Sequence, residues 1–217
     1  MAKRKSSAAP GARSFKGIRG YYVASTHWDR EWYETFQAYR FRLVDVMDRL
    51  IELMERDGDY HFYQLDGQSV VLEDYLEVRP ERRERLQALF DAGRIVAGPW
   101  YVLPDEFLVC GESLVRNLMR GHRVAGEFTT PMKVGFACDL FGHTSQLPQI
   151  FRGFGMDTAT VWRGTNFPTH PGLFRWQSPD GSEVLTYTFV AEGYGQYQFM
   201  VRDFAKTANL RLNTAKA

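Results

Sequence analysis

Short apolar runs alternate with helix-length amphipathic segments along most of this chain. Apolar residues recur at helical spacing over residues 36–54, after an apolar run at 21–24 and before Asp57-Gly58. Further apolar runs predict strands at residues 61–65, 95–97, 133–138 and 158–162. The segments between them predict helices at residues 69–76, 81–90, 113–125 and 146–154, with Ser113 as the cap of the third. This alternation is typical of βαβ units around a parallel sheet, so an α/β fold is predicted.

The pattern changes after residue 162. Residues 173–177 and 183–188 flank the sequence Ser-Pro-Asp-Gly-Ser at 178–182, which has the composition of a tight turn. An antiparallel hairpin is therefore predicted here. Residues 202–217 carry no strong period and do not predict an element that closes a core.

Charge and composition exclude several classes of partner. The 27 Lys and Arg residues balance 26 Asp and Glu residues, so no strong field directs the chain to nucleic acid or to acidic membranes. No run approaches the roughly 18 apolar residues of a membrane span. Two cysteines fit a reducing compartment, and residues 1–19 predict a disordered basic tail without a secretory signal. A cytoplasmic protein is expected, and assembly into a homo-oligomer stays open.

Polar residues that follow predicted strands are the candidate site residues, because ligands of parallel α/β folds bind at the carboxyl ends of the strands. His27 and Asp29 are two residues apart, so in an extended segment they project to the same side. Asp139 follows the strand at 133–138, whereas Cys138 should point into the core. Together the three polar residues offer a nitrogen and two carboxylates to Zn²⁺. The alternative is a capping His and two turn or helix-opening aspartates.

Two other segments carry residues that suit a site. Arg163 follows the strand at 158–162 and either holds a carboxylate or lies in solvent. Residues 98–106 combine aromatic side chains with Asp105 and Glu106, either of which could instead be a charge at a helix N-terminus. His143 is close enough in sequence to contact Asp139 on the side away from a bound metal ion.

Four sequence blocks between residues 21 and 197 resemble one enzyme family. The blocks are HWDREW, LDGQSVVLEDYLEVRPE, GPWYVLPDEFLVCGES and CDLFGHTSQLPQI. Each is weak alone, but their order and spacing resemble the N-terminal catalytic domain of glycoside hydrolase family 38, the α-mannosidases. Residues 20–217 are accordingly predicted to be the N-terminal part of that catalytic β/α domain.

The resemblance implies a zinc-dependent, retaining α-mannosidase on a parallel β/α barrel of the seven-stranded type. In this family one zinc ion binds the hydroxyls of a terminal mannose. The motif match implies that His27 and Asp29 are zinc ligands and that Asp139 is both a ligand and the nucleophile. The other matches imply substrate-binding side chains: Trp32, Phe141, Arg163 and Tyr194.

The sequence departs from the family in what it lacks. Family members place a fourth zinc ligand, a His, and the acid/base Asp in later blocks that are not found before Ala217. The barrel is therefore expected to be incomplete at the C-terminus. Two alternatives stay open: a metal-dependent enzyme similar to polysaccharide deacetylases, which would need another His pair, and a non-catalytic carbohydrate-binding remnant. The blocks LDGQ and PWYVLPDEF favour the bacterial-type enzymes, some of which cleave mannosylglycerate.

Hydrolysis by this chain alone should be weak or absent. Since half of the family's active-site residues have no match here, we expect the purified 217-residue chain to release little or no mannose from an aryl α-mannoside. We also expect its zinc affinity to be weakened. A colorimetric hydrolysis assay checks the first point, and robust mannose release would contradict it.

Overall fold

The computed structural model of the chain describes residues 23–165, 172–189 and residue 193. Strands and helices alternate there in the predicted order. The strands are β1 (Ala24–Ser25), β2 (Tyr63–Gln64), β3 (Ile95–Val96), β4 (Val134–Ala137), β5 (Thr158–Val161), β6 (Gly172–Gln177) and β7 (Glu183–Thr188). The helices are α1 (Phe36–Arg56), α2 (Val70–Val78), α3 (Arg83–Asp91), α4 (Gly111–Gly126) and α5 (Leu147–Gly153). A 3-10 turn at Pro80–Arg82 leads into α3.

The strands form two sheets. One has the order β1-β2-β3 with parallel neighbours, and the other has the order β4-β5-β7-β6. The predicted hairpin is confirmed, since β6 and β7 pair in antiparallel register, while β7 also runs parallel to β5. The α/β class with parallel sheets is therefore confirmed. A seven-stranded barrel is not, because the seven described strands divide between two sheets and β6 runs against its neighbour.

The N-cap of helix α4 lies three residues before the predicted cap at Ser113. Cys110 is the N-cap residue, in an extended conformation, and no side chain caps the helix. The Ser113 hydroxyl lies inside the first turn, 3.3 Å from the Cys110 sulfur. The predicted Ser113 cap is wrong because the chain already turns helical at Gly111.

Helix α1 is amphipathic and buries its apolar face against the first sheet. Its buried side chains recur at helical spacing: Tyr39, Leu43, Val44, Met47, Leu50, Ile51 and Met54. Most of them pack with Ala24, Tyr63 and Ile95 from β1 to β3 in one core. No helix in the described part of the chain has both the length and the apolar character needed to cross a bilayer.

Trp100 joins the two sheets. Its side chain is fully buried, and its indole Nε1 donates a hydrogen bond of 2.8 Å to the carbonyl oxygen of Phe136 in β4. Its backbone forms a parallel bridge with Gln68, beyond the end of β2. The indole ring also meets Phe151 of α5 edge-on at 5.9 Å between ring centroids. The segment after β3 is thereby fixed to the second sheet.

Two glycines of α4 give a matched test of this packing. A Cβ added at Gly121 would overlap the backbone of residues 99–101, whereas a Cβ at Gly126 would meet nothing within 4 Å. Gly121→Ala should therefore lower the free energy of unfolding by about 1–3 kcal/mol, measured by urea denaturation. Gly126→Ala should leave it unchanged or raise it by about 0.5 kcal/mol. Equal losses in the two variants would contradict the close approach at Gly121.

Candidate functional site

His27 meets two carboxylates from different parts of the chain. It lies in the loop after β1, and its Nε2 is 3.2 Å from Asp29 Oδ1 and 3.0 Å from Asp139 Oδ2. Asp29 shares the loop with His27, whereas Asp139 follows β4 in the second sheet. The three residues singled out as candidate metal ligands therefore come together at one imidazole nitrogen.

Arg163 contacts the other oxygen of the Asp139 carboxylate. It follows β5, and its Nε forms an ion pair with Asp139 Oδ1. The guanidinium lies over the rings of Phe141, at 5.4 Å, and of Trp162, at 4.5 Å. Asp139 is therefore engaged from two sides, by His27 through Oδ2 and by Arg163 through Oδ1.

Asp66 is a residue of the site that sequence reasoning missed. It follows β2, and its buried carboxylate accepts hydrogen bonds from the Trp28 backbone N–H at 2.6 Å and from Gln68 Nε2 at 3.0 Å. It also lies 3.1 Å from His27 Nδ1. Asp66 has a left-handed backbone (φ 44°), which suits Asp better than most residues. The signal in the sequence was an Asp-Gly pair at a strand end, which also describes an ordinary turn.

Burial and neighbouring charges act in opposite directions on the pKa values of His27 and Asp66. Burial lowers the pKa of His27, but the hydrogen bond and charge of Asp66 and the charges of Asp29 and Asp139 outweigh it and raise the pKa to about 9. Burial raises the pKa of Asp66, against the contrary effect of His27. The imidazole in the chain without metal is therefore a cation held between carboxylates.

A second ion pair fixes the loop that carries His27. Arg30 donates two hydrogen bonds of 2.8 Å to the carboxylate of Asp74 on α2. Asp74 is buried, and the Arg30 guanidinium also lies 4.2 Å from the centre of the Phe36 ring. This bidentate contact and the Asp66 contacts hold the segment at both ends.

The site opens into a cleft of about 300 Å³. Its acidic lining residues are Asp29, Glu31, Asp105 and Asp139, and its aromatic ones are Trp28 and Phe141. The ring of Trp32 instead stacks on Tyr33, with 3.9 Å between ring centroids, and both are exposed. Tyr194 lies outside the described residues. A larger depression of about 640 Å³ beside Arg152 and Arg175 includes none of the predicted site residues.

Glu106 and His143 do not take the places that the sequence suggested. His143 Nδ1 lies 2.8 Å from Glu106 Oε1, and its Nε2 donates to the Arg163 carbonyl at 2.9 Å. Both ring nitrogens are thereby engaged by groups other than Asp139, so His143 does not make the contact with Asp139 that the sequence left within reach. Glu106 is buried rather than a charge at a helix N-terminus. Its neighbour Asp105 lines the cleft.

The side chains of His27, Asp29 and Asp139 carry the types of donor atom that zinc binds. They do not, however, surround a common central point. Within residues 23–165 and 172–189, no group of three His, Cys, Asp or Glu side chains is arranged to hold a metal ion. The imidazole of His27 instead contacts the carboxylates directly. One imidazole nitrogen and two carboxylate oxygens are nevertheless ligands that zinc accepts, and Asp66 on Nδ1 is the partner that a ligating His commonly has.

The sequence matches one family model over nearly its whole length. Residues 18–216 match the model of the glycosyl hydrolases family 38 N-terminal domain. The chain belongs to glycosyl hydrolase family 38. The four sequence blocks therefore come from a shared ancestry, and the loops at His27 and Asp139 lie in the family's N-terminal domain.

Relatives in the family share this part of their chains. A Halalkalibacterium halodurans protein named "Putative mannosylglycerate hydrolase" is 35% identical over 75% of this chain and 20% of its own. The α-mannosidase of Saccharomyces cerevisiae is 31% identical over 77% of this chain and 16% of its own. The crystal structure of an α-mannosidase from Enterococcus faecalis V583 superposes with a TM-score of 0.73 at 34% identity, covering 77% of this chain and 19% of that one. The chain thus spans about a fifth of the length of these family 38 relatives.

The contacts of Asp66 generate a stability prediction. Asp66→Asn leaves one carboxylate oxygen fewer to accept from Trp28, Gln68 and His27 in a buried place. The free energy of unfolding should fall by about 1–3 kcal/mol in urea denaturation. The exposed Asp45→Asn, which breaks only an i,i+4 pair with Arg49, should change it by less than about 0.5 kcal/mol. Equal effects of the two variants would contradict the role of Asp66 in holding the His27 loop.

Proposed function

We propose that the chain carries the metal-binding and nucleophile part of the active site of a zinc-dependent, retaining α-mannosidase. The observation that supports this most is the meeting of His27, Asp29 and Asp139 at one imidazole nitrogen, with Arg163 on the far oxygen of Asp139. Family 38 membership and relatives named α-mannosidase favour this chemistry over other uses of an acidic cleft.

In this proposal His27, Asp29 and Asp139 would hold one zinc ion. When bound, zinc supplies Lewis acidity toward sugar hydroxyls. Zinc ligation would replace the direct contacts of His27 with the two carboxylates, and the imidazole would have to lose its Nε2 proton to serve as a ligand. Asp66 would keep the ring oriented through its contact with Nδ1.

Asp139 acts as the nucleophile. One of its oxygens attacks the anomeric carbon while the bond from that carbon to the leaving oxygen breaks, and a second carboxylic acid gives the leaving oxygen a proton. That second group then takes a proton from the water that hydrolyses the covalent glycosyl-enzyme, so the configuration is retained. Arg163 restricts the rotation of the Asp139 carboxylate through its ion pair with Oδ1.

The substrate class is a terminal α-mannosyl residue of a glycan or of a mannosylglycerate-like compound. Phe141 borders the cleft next to Asp139 and presents an apolar face to the sugar ring. We assign Trp32 to the same role on the family resemblance, although its exposed ring stacks on Tyr33. Tyr194 is proposed as a further substrate contact on the family resemblance alone.

A carbohydrate-binding protein without turnover is the second candidate. The exposed aromatic rings of Trp32, Tyr33 and Phe141 suit sugar binding whether or not hydrolysis follows. A deacetylase-like enzyme has less support. That chemistry needs a further His pair, and His27 is the one histidine among the described residues that line the cleft.

Zinc binding tests the proposal. In calorimetry on chain treated with a chelator, we expect one zinc ion per chain. Asp139→Asn should weaken binding by about 100-fold or more, since loss of a ligand should cost at least as much as loss of a residue that orients one. The exposed Glu112→Gln on α4, which breaks only a contact with Arg116, serves as the control and should bind zinc as the wild type does. Equal affinities of Asp139→Asn and wild type would refute the ligand assignment.

A further inference from the structure

A buried acid–imidazole pair lies behind the proposed site. The side chains of Glu106 and His143 are 0% and 5% exposed, and their Oε1 and Nδ1 atoms are 2.8 Å apart. Glu106 Oε2 accepts a hydrogen bond of 2.7 Å from the Thr144 backbone N–H. The His143 ring also contacts Trp176 of β6 edge-on at 5.3 Å. This pair connects the segment after β3 with the loop after β4.

The partners of the pair fix where its protons lie. His143 Nε2 faces the carbonyl oxygen of Arg163, which only accepts, so Nε2 carries a proton. Nδ1 faces the Glu106 carboxyl oxygen, and two acceptors 2.8 Å apart require a proton between them. Either a carboxylate with an imidazolium or a carboxylic acid with a neutral ring satisfies both contacts. The pair has no net charge in both forms, which lowers the cost of burying it.

The pair therefore fixes the backbone of Arg163, and the side chain of Arg163 in turn contacts Asp139. His143 binds the carbonyl oxygen of Arg163, while the Arg163 guanidinium contacts Asp139. Gly164 allows the turn, because it has a left-handed backbone (φ 70°) and packs against the backbone of Gly142 without room for a Cβ. The Arg163 N–H also donates to the Cys138 carbonyl at 3.3 Å.

We propose that Glu106 and His143 are positioning residues that fix Arg163 so that its guanidinium meets the Asp139 carboxylate. They act through Arg163 and not on the sugar, because both side chains are enclosed by protein. The inference rests on the proposed function only in taking Asp139 as the reacting and ligating group. The contacts themselves need no metal.

Two variants of Glu106 separate positioning from charge. Glu106→Gln keeps the contacts, since its amide NH₂ donates to a neutral His143 Nδ1 and its amide oxygen accepts from the Thr144 N–H. Glu106→Ala removes both. His143→Phe retains a ring against Trp176 but loses both hydrogen bonds, and it is the second variant if Glu106→Ala does not fold. Asp48→Ala is the control, because it breaks a cluster with Tyr75, Arg79 and Arg82 elsewhere in the fold.

The first readout is hydrogen exchange of the Arg163 Nε–H by NMR in metal-free chain. We expect exchange about tenfold faster in Glu106→Ala and in His143→Phe, because the guanidinium is no longer held on Asp139. Exchange should be within about threefold of wild type in Glu106→Gln and in Asp48→Ala. Unchanged exchange in folded Glu106→Ala or His143→Phe, or equally fast exchange in Asp48→Ala, would overturn the proposal.

The second readout is zinc affinity by calorimetry on the same variants. Glu106→Ala should weaken zinc binding by about tenfold, the lower end of the loss for residues that orient ligands. Glu106→Gln and Asp48→Ala should bind as the wild type does. A wild type that binds no zinc refutes the proposed function, and the exchange experiment still decides the role of Glu106 and His143. Wild-type zinc affinity in folded Glu106→Ala would overturn the link from the pair to Asp139.

Discussion

The hydrogen bond from the Trp100 indole to the Phe136 carbonyl is the contact on which the site depends. His27 follows the first sheet and Asp139 follows the second, so their meeting requires the two sheets to stay in register with each other. Trp100 is fully buried between them, and an indole N–H that lost its acceptor there would cost about 1–3 kcal/mol. The close approach of Gly121 to residues 99–101 presses α4 onto the same segment. Packing and hydrogen bonding around Trp100 therefore determine the relative positions of His27 and Asp139, which lie about 40 residues or more from Trp100 in the sequence.

The site brings several carboxylates together, and two cationic side chains offset their mutual repulsion. Asp29, Asp66 and Asp139 all contact His27, and carboxylates at such separations raise one another's free energy unless a positive charge lies among them. The imidazolium provides that charge, which is why the neighbouring carboxylates raise its pKa to about 9 in spite of burial. Arg163 provides a second charge at the opposite oxygen of Asp139. In the proposed function, a bound zinc ion would add positive charge beside Asp29 and Asp139, the two carboxylates that now contact His27 Nε2.

The order of strands and helices could be predicted from the sequence because apolar periodicity determines it. The contacts of residues in loops could not be predicted in the same way. The α/β order followed from apolar spacing, and His27 and Asp29 could be placed together because alternate residues of an extended segment share a side. Asp66 was missed because an Asp-Gly pair after a strand has the same appearance whether or not it holds a histidine. Asp105 and Glu106 are adjacent carboxylates, yet one lines the cleft and the other is buried against His143. Which way each points depends on the path of the loop, and residue types do not encode that path locally.

The charge distribution of the described cleft limits the kind of aglycone that the proposed mannosidase site could bind. In the proposed function its acidic residues would accept hydrogen bonds from sugar hydroxyls, which suits a neutral mannosyl ring. A glycerate carboxylate is different, because it needs a cation whose charge is not already balanced. Arg30 is bound in bidentate fashion by Asp74, and Arg163 is paired with Asp139. If the proposed function holds, an anionic aglycone would therefore have to be bound by cations other than Arg30 and Arg163.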